Sequence, residues 1–136
     1  MADDPNSGEQ EPRSPFAKLL DIHAGVSQDG VGTAFMRIQD MHRQTAGFVQ
    51  GGIIVTLADF AFARAVHSVS QPGQPTVTLE LKMNFISPAK DGELTATAKI
   101  ISKGGRIVVG EIDVTDDDQT LIARGLGTFM LLRPKS

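Results

Sequence analysis

A carboxylate stands inside the most apolar stretch of the chain. Asp59 is flanked by residues 53–58 and 60–63, which are apolar except for Thr56. Burying an ionised carboxylate costs free energy unless it is paired or hydrogen-bonded. Arg64 lies about 140° round a helix from Asp59, so it is a poor partner on the same helix. Asp59 is therefore either a structural carboxylate paired with another element or a catalytic one.

Two glycines, Gly51 and Gly52, precede this apolar stretch. At the start of a helix the unsatisfied N–H groups and the helix dipole favour negative charge, so an oxyanion could bind there. The alternative is a tight entry from a loop into the helix. Asp59 lies about 12 Å along the helix axis from Gly51, too far for both to act on one carbonyl. Two subunits could bring the glycine of one chain to the aspartate of the other.

The sequence offers little support for another nucleophile or for a metal site. The chain has no cysteine, which excludes thiolate chemistry and disulfides. His67 lies two helical turns from Asp59, and it shows no metal-binding spacing with His23 and His42, so packing or surface roles are expected for all three. The run Asp116–Asp118 lacks the spacing of a calcium loop and predicts a turn.

Length and composition predict one folded domain. The 136 residues are 40% hydrophobic and 21% charged, as in globular proteins. Residues 1–15, rich in Pro, Asp and Glu, predict a flexible tail, and residues 16–136 the domain. The net charge of −3 and the absence of a basic run argue against nucleic acid as a partner. Two charges inside the apolar helix argue against a membrane span, and the acidic start lacks the features of a secretory signal, so a cytoplasmic location is expected.

The elements that must position these groups alternate in a simple order. We predict a short helical turn at 16–22, one strand within 30–39, a long helix from Gly51 to Val69, and four later strands. Residues 76–85 alternate strictly, with the apolar side chains on one face of a half-buried strand. Gly104-Gly105 predicts a hairpin with a type I′ turn. The order favours an α+β fold with an antiparallel sheet of five to six strands wrapped around one long helix.

Three segments resemble one known family. The segment GFVQGGIIVTLAD at 47–59 resembles the glycine-rich signature of hotdog-fold thioesterases of the phenylacetate-pathway type. The segment VTLELKMNFISPA at 77–89 and the segment ARGLGTF at 123–129 resemble its later strands. The resemblance spans about residues 30 to 133, and it implies the hotdog fold and hydrolysis of an acyl-CoA thioester.

The resemblance also implies roles for single residues. Asp59 would act as general base or nucleophile, and the Gly51 N–H would polarise the thioester carbonyl. Thr78 would orient the carboxylate or a water. Gln44 stands where the family often has Asn and Gln50 where it often has His, and both side chains still donate hydrogen bonds. Further residues expected to bind the substrate are Gln50, Gly52, Asn84, Lys90 and Arg106.

No metal and no bound cofactor are implied, since coenzyme A arrives as part of the substrate. The family resemblance implies a homodimer or homotetramer whose active sites are shared between subunits. One alternative is a hotdog protein that binds acyl-CoA without turnover, suggested by Gln44 and Gln50. Another is a hotdog dehydratase or hydratase, although these commonly carry an Asp/His pair five residues apart and position 64 is Arg.

Overall fold

The computed structural model describes residues 13–134. Its elements, in chain order, are α1 (Pro15–Leu20), β1 (Ile22–Gln28), β2 (Val31–Arg37), a 3₁₀ turn (Asp40–His42), α2 (Gly51–His67), β3 (Thr76–Phe85), β4 (Glu93–Lys103), β5 (Ile107–Thr115) and β6 (Leu121–Leu131). Residues 1–12 of the tail predicted at 1–15 lie outside the described residues. In the part of the tail that is described, the Ser14 side chain accepts a hydrogen bond from the Ala17 N–H, and Pro15 begins α1.

One antiparallel sheet carries all six strands, in the order β1–β2–β4–β5–β6–β3. The sheet wraps around α2, which contacts every strand. This confirms the predicted α+β architecture of five to six strands around one long helix. Strands β1 and β3 form the two edges of the sheet.

Helix α2 buries one face against the sheet and leaves a stripe of the other face open. Its buried residues recur at helical spacing, namely Ile54, Leu57, Ala58, Ala61, Phe62, Ala65 and Val66. Asp59, Phe60 and Ala63 lie on the partly exposed stripe. The amphipathic pattern therefore seats the helix in the sheet while keeping the carboxylate at a surface.

A notch in the sheet receives the largest buried side chain, Phe62. Gly110 and Gly127 pair across β5 and β6 directly beneath its ring. A Cβ added at Gly127 would lie 2.4 Å from the ring, and one at Gly110 would lie 3.0 Å from it. Phe129 packs against the same ring, with 4.5 Å between the ring centroids. The glycines thus set how closely α2 approaches the sheet.

Two details of the hairpins differ from the predictions. The single strand predicted before α2 is a pair, because Asp29 and Gly30 form a two-residue turn with φ of 52° and 80° that joins β1 to β2. Conversely, Gly104 and Gly105 have no positive φ, so the predicted type I′ turn there is wrong. A register shift in β4 places Gly104 opposite Ile107, which moves Arg106 to the centre of the turn.

Strand β3 is less buried than its alternation predicts. Thr78 pairs with Phe129 and Glu80 with Thr128, so Leu79 is an extra residue that forms a β-bulge. A bulge of one residue reverses which side chains face the core. Thr78 before the bulge and Leu81 after it therefore both face α2, whereas Leu79 is 53% exposed. The prediction that all apolar side chains of β3 share one face is wrong for this reason.

Candidate active site

Asp59 lies in a cleft of about 300 Å³ between α2, β3 and α1. Thr78 Oγ1 donates a hydrogen bond of 2.7 Å to Asp59 Oδ1, and Oδ2 accepts none from residues 13–134. Burial raises the pKa of the Asp59 carboxyl above its usual range, and the Thr78 hydrogen bond opposes that rise. The carboxylate is thus more basic than an exposed aspartate, with one oxygen held and one available.

The bulge at Leu79 is what brings Thr78 to Asp59. Without the extra residue, a β3 that buries Leu81 and Met83 would turn Thr78 toward the outer face of the sheet. Thr78 and Asp59 stand 19 positions apart in sequence, so the contact depends on the pairing of β3 with β6.

The start of α2 lines a separate cleft of about 330 Å³. Gly51 and Gln44 lie on its wall, and the Phe85 ring covers Gly51, 3.2 Å from where a Cβ would stand. No hydrogen bond within residues 13–134 engages the N–H of Gly51 or Gly52, since the first helical bonds run from Ile53 and Ile54 to Gln50 O. Two donors are therefore free to bind an oxygen at the helix terminus.

A buried histidine fixes the segment that leads into this terminus. His42 is fully buried; its Nδ1 accepts from the Gln39 N–H at 3.0 Å and its Nε2 donates to Leu20 O at 2.7 Å. The His42 carbonyl in turn accepts from the Gln50 N–H at 2.8 Å. His42 therefore has a structural role, as the sequence predicts, and it ties α1 to the start of α2.

Gln44 and Gln50, which depart from the family pattern, differ in where their side chains lie. The Gln44 side-chain oxygen accepts a hydrogen bond from the Ala46 N–H, and its amide nitrogen makes no hydrogen bond within residues 13–134. The residue lines the cleft at the start of α2. Gln50 caps α2 through its backbone, and its side chain is exposed and makes no cap hydrogen bond.

The remaining predicted binding residues lie apart from both clefts within one chain. Asn84 Oδ1 accepts from Lys82 Nζ at 2.7 Å beside Arg124, on the outer face of the sheet. Lys90 is exposed, and its carbonyl accepts from Arg43. Arg106 Nε donates to Leu131 O at the end of β6. Any joint role of these residues with Asp59 requires a second chain or a long substrate.

Five side chains of the Asp59 cleft were not predicted as site residues. They are Phe16, Val55, Thr56, Phe60 and Leu81. Helical spacing could have indicated Val55 and Thr56, which lie four and three positions before Asp59. No local pattern could place Phe16, because it reaches the cleft only through the packing of α1.

No cluster of three or more histidine, aspartate and glutamate side chains in the described part of the chain could hold a metal ion. None of the helices within residues 13–134 has the length and hydropathy needed to cross a membrane.

Comparison with known proteins agrees with this architecture. A putative esterase of Saccharolobus solfataricus is 37% identical over 87 residues, which are 64% of this chain but only 57% of that relative's length. Acyl-coenzyme A thioesterase 13 of Mus musculus is 30% identical over 95 residues, 68% of this chain and 67% of the relative.

Solved structures match more of the chain. The conserved protein PA5202 of Pseudomonas aeruginosa superposes with a TM-score of 0.84 at 31% identity, covering 88% of this chain and 95% of that one. The E. coli PaaI protein from the phenylacetic acid degradation operon gives 0.82 at 26% identity, with 90% and 87% covered. Residues 46–123, which include Gly51, Asp59 and Thr78, match the model of the thioesterase superfamily, and the chain belongs to that superfamily and has its hotdog fold.

Proposed function

We propose that the protein hydrolyses acyl-CoA thioesters and that Asp59 is its catalytic carboxylate. The observation that carries the proposal is the setting of Asp59, a carboxylate of raised pKa held by Thr78 at the wall of a cleft. Such a group can accept a proton from water or attack the thioester carbonyl directly. The relative named acyl-coenzyme A thioesterase 13 supports coenzyme A as the thiol.

The second half of the proposed site is the start of α2. The Gly51 N–H and the helix dipole would stabilise the negative charge that develops on the carbonyl oxygen. Gln44, on the same wall, would donate a further hydrogen bond. The alternatives of acyl-CoA binding without turnover and of hydration of an unsaturated acyl-CoA lack a specific observation in their favour.

A homodimer would unite the two halves. Gly51 and Asp59 lie about 12 Å apart along α2 and open into different clefts of one chain. Strand β3 is an edge of the sheet with Leu79 and Phe85 each 53% exposed, and unpaired edges favour association. We therefore propose pairing across a two-fold axis that brings Gly51 of one subunit to Asp59 of the other.

A pair of variants tests the proposed donor at Gly51. Proline fits the first position of a helix, and Gln50, at φ −60° and ψ 133°, already has the conformation that precedes proline. Gly51→Pro removes the N–H and should lower kcat for release of thiol from acyl-CoA by about 100-fold. Gly51→Ala keeps the N–H and adds only the contact with the flexible Phe85 ring, so it serves as the control. Equal rates for the two variants would remove the Gly51 N–H from the mechanism.

The shared site is tested by mixing chains. Neither Asp59→Asn nor Gly51→Pro alone should be active, but a heterodimer would contain one intact site. Random exchange makes about half of the dimers heterodimers, so about a quarter of the wild-type rate should return. Absence of rescue after subunit exchange has been verified by mass spectrometry would reject the shared site.

The pH profile tests the role of Thr78. Asp59 must be ionised to act, and its hydrogen bond from Thr78 favours ionisation. Thr78→Val should therefore raise the pKa of Asp59 further, move the acidic limb of kcat/KM to higher pH, and lower the rate on that limb roughly tenfold. Thr78→Ser should restore the wild-type limb. A lower rate with an unmoved limb would show that Thr78 acts only through packing.

A further inference from the structure

An apolar pocket of about 240 Å³ lies one helical turn beyond Asp59, enclosed by α1, β1, β2 and α2. We call it the distal pocket. Its apolar wall consists of Ala17, Ile22, Ala24, Ala34, Phe60 and Ala63. Small side chains make up most of this wall, so the space exists because four alanines stand where larger residues would fill it.

The distal pocket adjoins the Asp59 cleft. Phe60 borders both cavities, and Ala63 lies four positions after Asp59 on the same stripe of α2. Helix α1 also spans the boundary, because Phe16 faces the Asp59 cleft while Ala17 faces the distal pocket. A group whose carbonyl sits at Asp59 can therefore extend past the two phenylalanines without leaving an apolar surface.

We propose that the distal pocket holds the far end of the acyl group and restricts the preferred substrates to acyl chains of up to about ten carbons. This rests on the proposed thioester hydrolysis. His67, at the end of the pocket, lies about 12 Å along α2 from Asp59. An extended chain advances roughly 1.2 Å per bond, so about ten bonds cover that length. The reacting carbonyl takes the first, and the remaining bonds, about nine, join about ten carbons.

The polar end of the distal pocket sets the limit. Arg64 and His67, which follow Ala63 on α2, border it there, and the His67 side chain is exposed. Methylenes inside the pocket leave water, and each should raise kcat/KM about fourfold. Methylenes beyond the end would meet charged groups and solvent, so they should add nothing. A cavity this small also falls below the usual volume of sites for drug-sized ligands.

The first measurement is a series of straight-chain acyl-CoA substrates from two to sixteen carbons, assayed by thiol release with the full-length wild-type protein. We expect kcat/KM to rise with each methylene up to about ten carbons and then to level off. A rise that continues to sixteen carbons, or a maximum at acetyl-CoA, would overturn the proposal.

Filling the pocket should shift this limit. Ala63→Leu from α2 and Ala24→Leu from β1 enter it from two walls, and each should lower the ratio of decanoyl-CoA to acetyl-CoA kcat/KM about thirtyfold. Ser102→Leu, at an exposed site on β4, is the matched control and should leave the ratio unchanged. An equal loss for all chain lengths would mean that pantetheine or another part of the substrate occupies the pocket, which contradicts the proposal.

Binding separates this proposal from the proposed hydrolysis. S-alkyl-CoA thioethers cannot be hydrolysed, so calorimetric Kd values for the same chain lengths report the pocket alone. One outcome is that Kd falls with chain length up to a limit, that Ala63→Leu lowers this limit, and that no acyl-CoA releases thiol. This outcome would reject hydrolysis and retain the acyl pocket. Thiol release with Kd values that do not vary with length would reject the pocket and retain hydrolysis.

Discussion

Asp59→Asn is expected to lower kcat/KM for thioester hydrolysis by at least about 100-fold without loss of the fold. Asparagine keeps the shape of the side chain, and its oxygen can still accept the hydrogen bond from Thr78. It can neither take a proton from water at neutral pH nor attack the carbonyl as a carboxylate does. Steady-state thiol release, with circular dichroism to verify folding, measures this effect.

The stability of the same variant gives an independent check. Burial raises the pKa of Asp59, so the folded state disfavours the ionised form, and the wild type loses stability as pH rises through that pKa. Asp59→Asn carries no charge at any pH. Its melting temperature should therefore exceed that of the wild type at neutral pH, and the difference should shrink below the usual pKa of aspartate. Near-normal turnover in a folded Asp59→Asn protein would refute the assignment.

The largest effect on stability is expected from Phe62→Ala. The Phe62 ring is fully buried in the notch formed by Gly110 and Gly127, and glycine has no side chain to fill the space that would be left. The expected loss is about 3–5 kcal/mol in the free energy of unfolding, a large part of the roughly 5–15 kcal/mol typical of a domain. Urea denaturation followed by circular dichroism would measure it.

Phe16→Ala is the matched control for this change. Phe16 is 52% exposed on α1, so the same truncation there should cost less than about 1 kcal/mol. If Phe62→Ala lowers the free energy of unfolding no more than Phe16→Ala does, the sheet must move onto the helix and fill the vacated space without loss of stability. That result would contradict the role given to the notch.

The sequence predicts the architecture well because its strongest periodic signals are local. The apolar helix around Asp59 and the alternation at 76–85 each extend over several turns or pairs of residues, and the structure has α2 and β3 at these places. Strand β1 was missed because its alternation is interrupted between Ala24 and Ser27, where the register with β2 shifts. The Asp29-Gly30 pair was nevertheless a sufficient signal for the hairpin.

The candidate site is only partly predictable, because its contacts cross the sheet. The family resemblance predicts a role for Thr78 in the site, but the bulge that turns Thr78 toward Asp59 is visible only in the register of β3 with β6. The distal pocket depends on how α1 packs over Phe60, and no period in the sequence encodes a void between elements. Substrate preference is the least predictable property for the same reason.

The order of strands also has a consequence for synthesis on the ribosome. Among the described strands, β3 pairs only with β6, which is made about 45 residues later, whereas β4 and β5 can pair with neighbours as soon as they emerge. At about 5–20 residues per second, β3 waits several seconds with Leu79 and Phe85 exposed and its backbone unpaired. This interval is the period in which the nascent chain is most prone to aggregate, and chaperones that bind extended apolar segments should find residues 76–86 there.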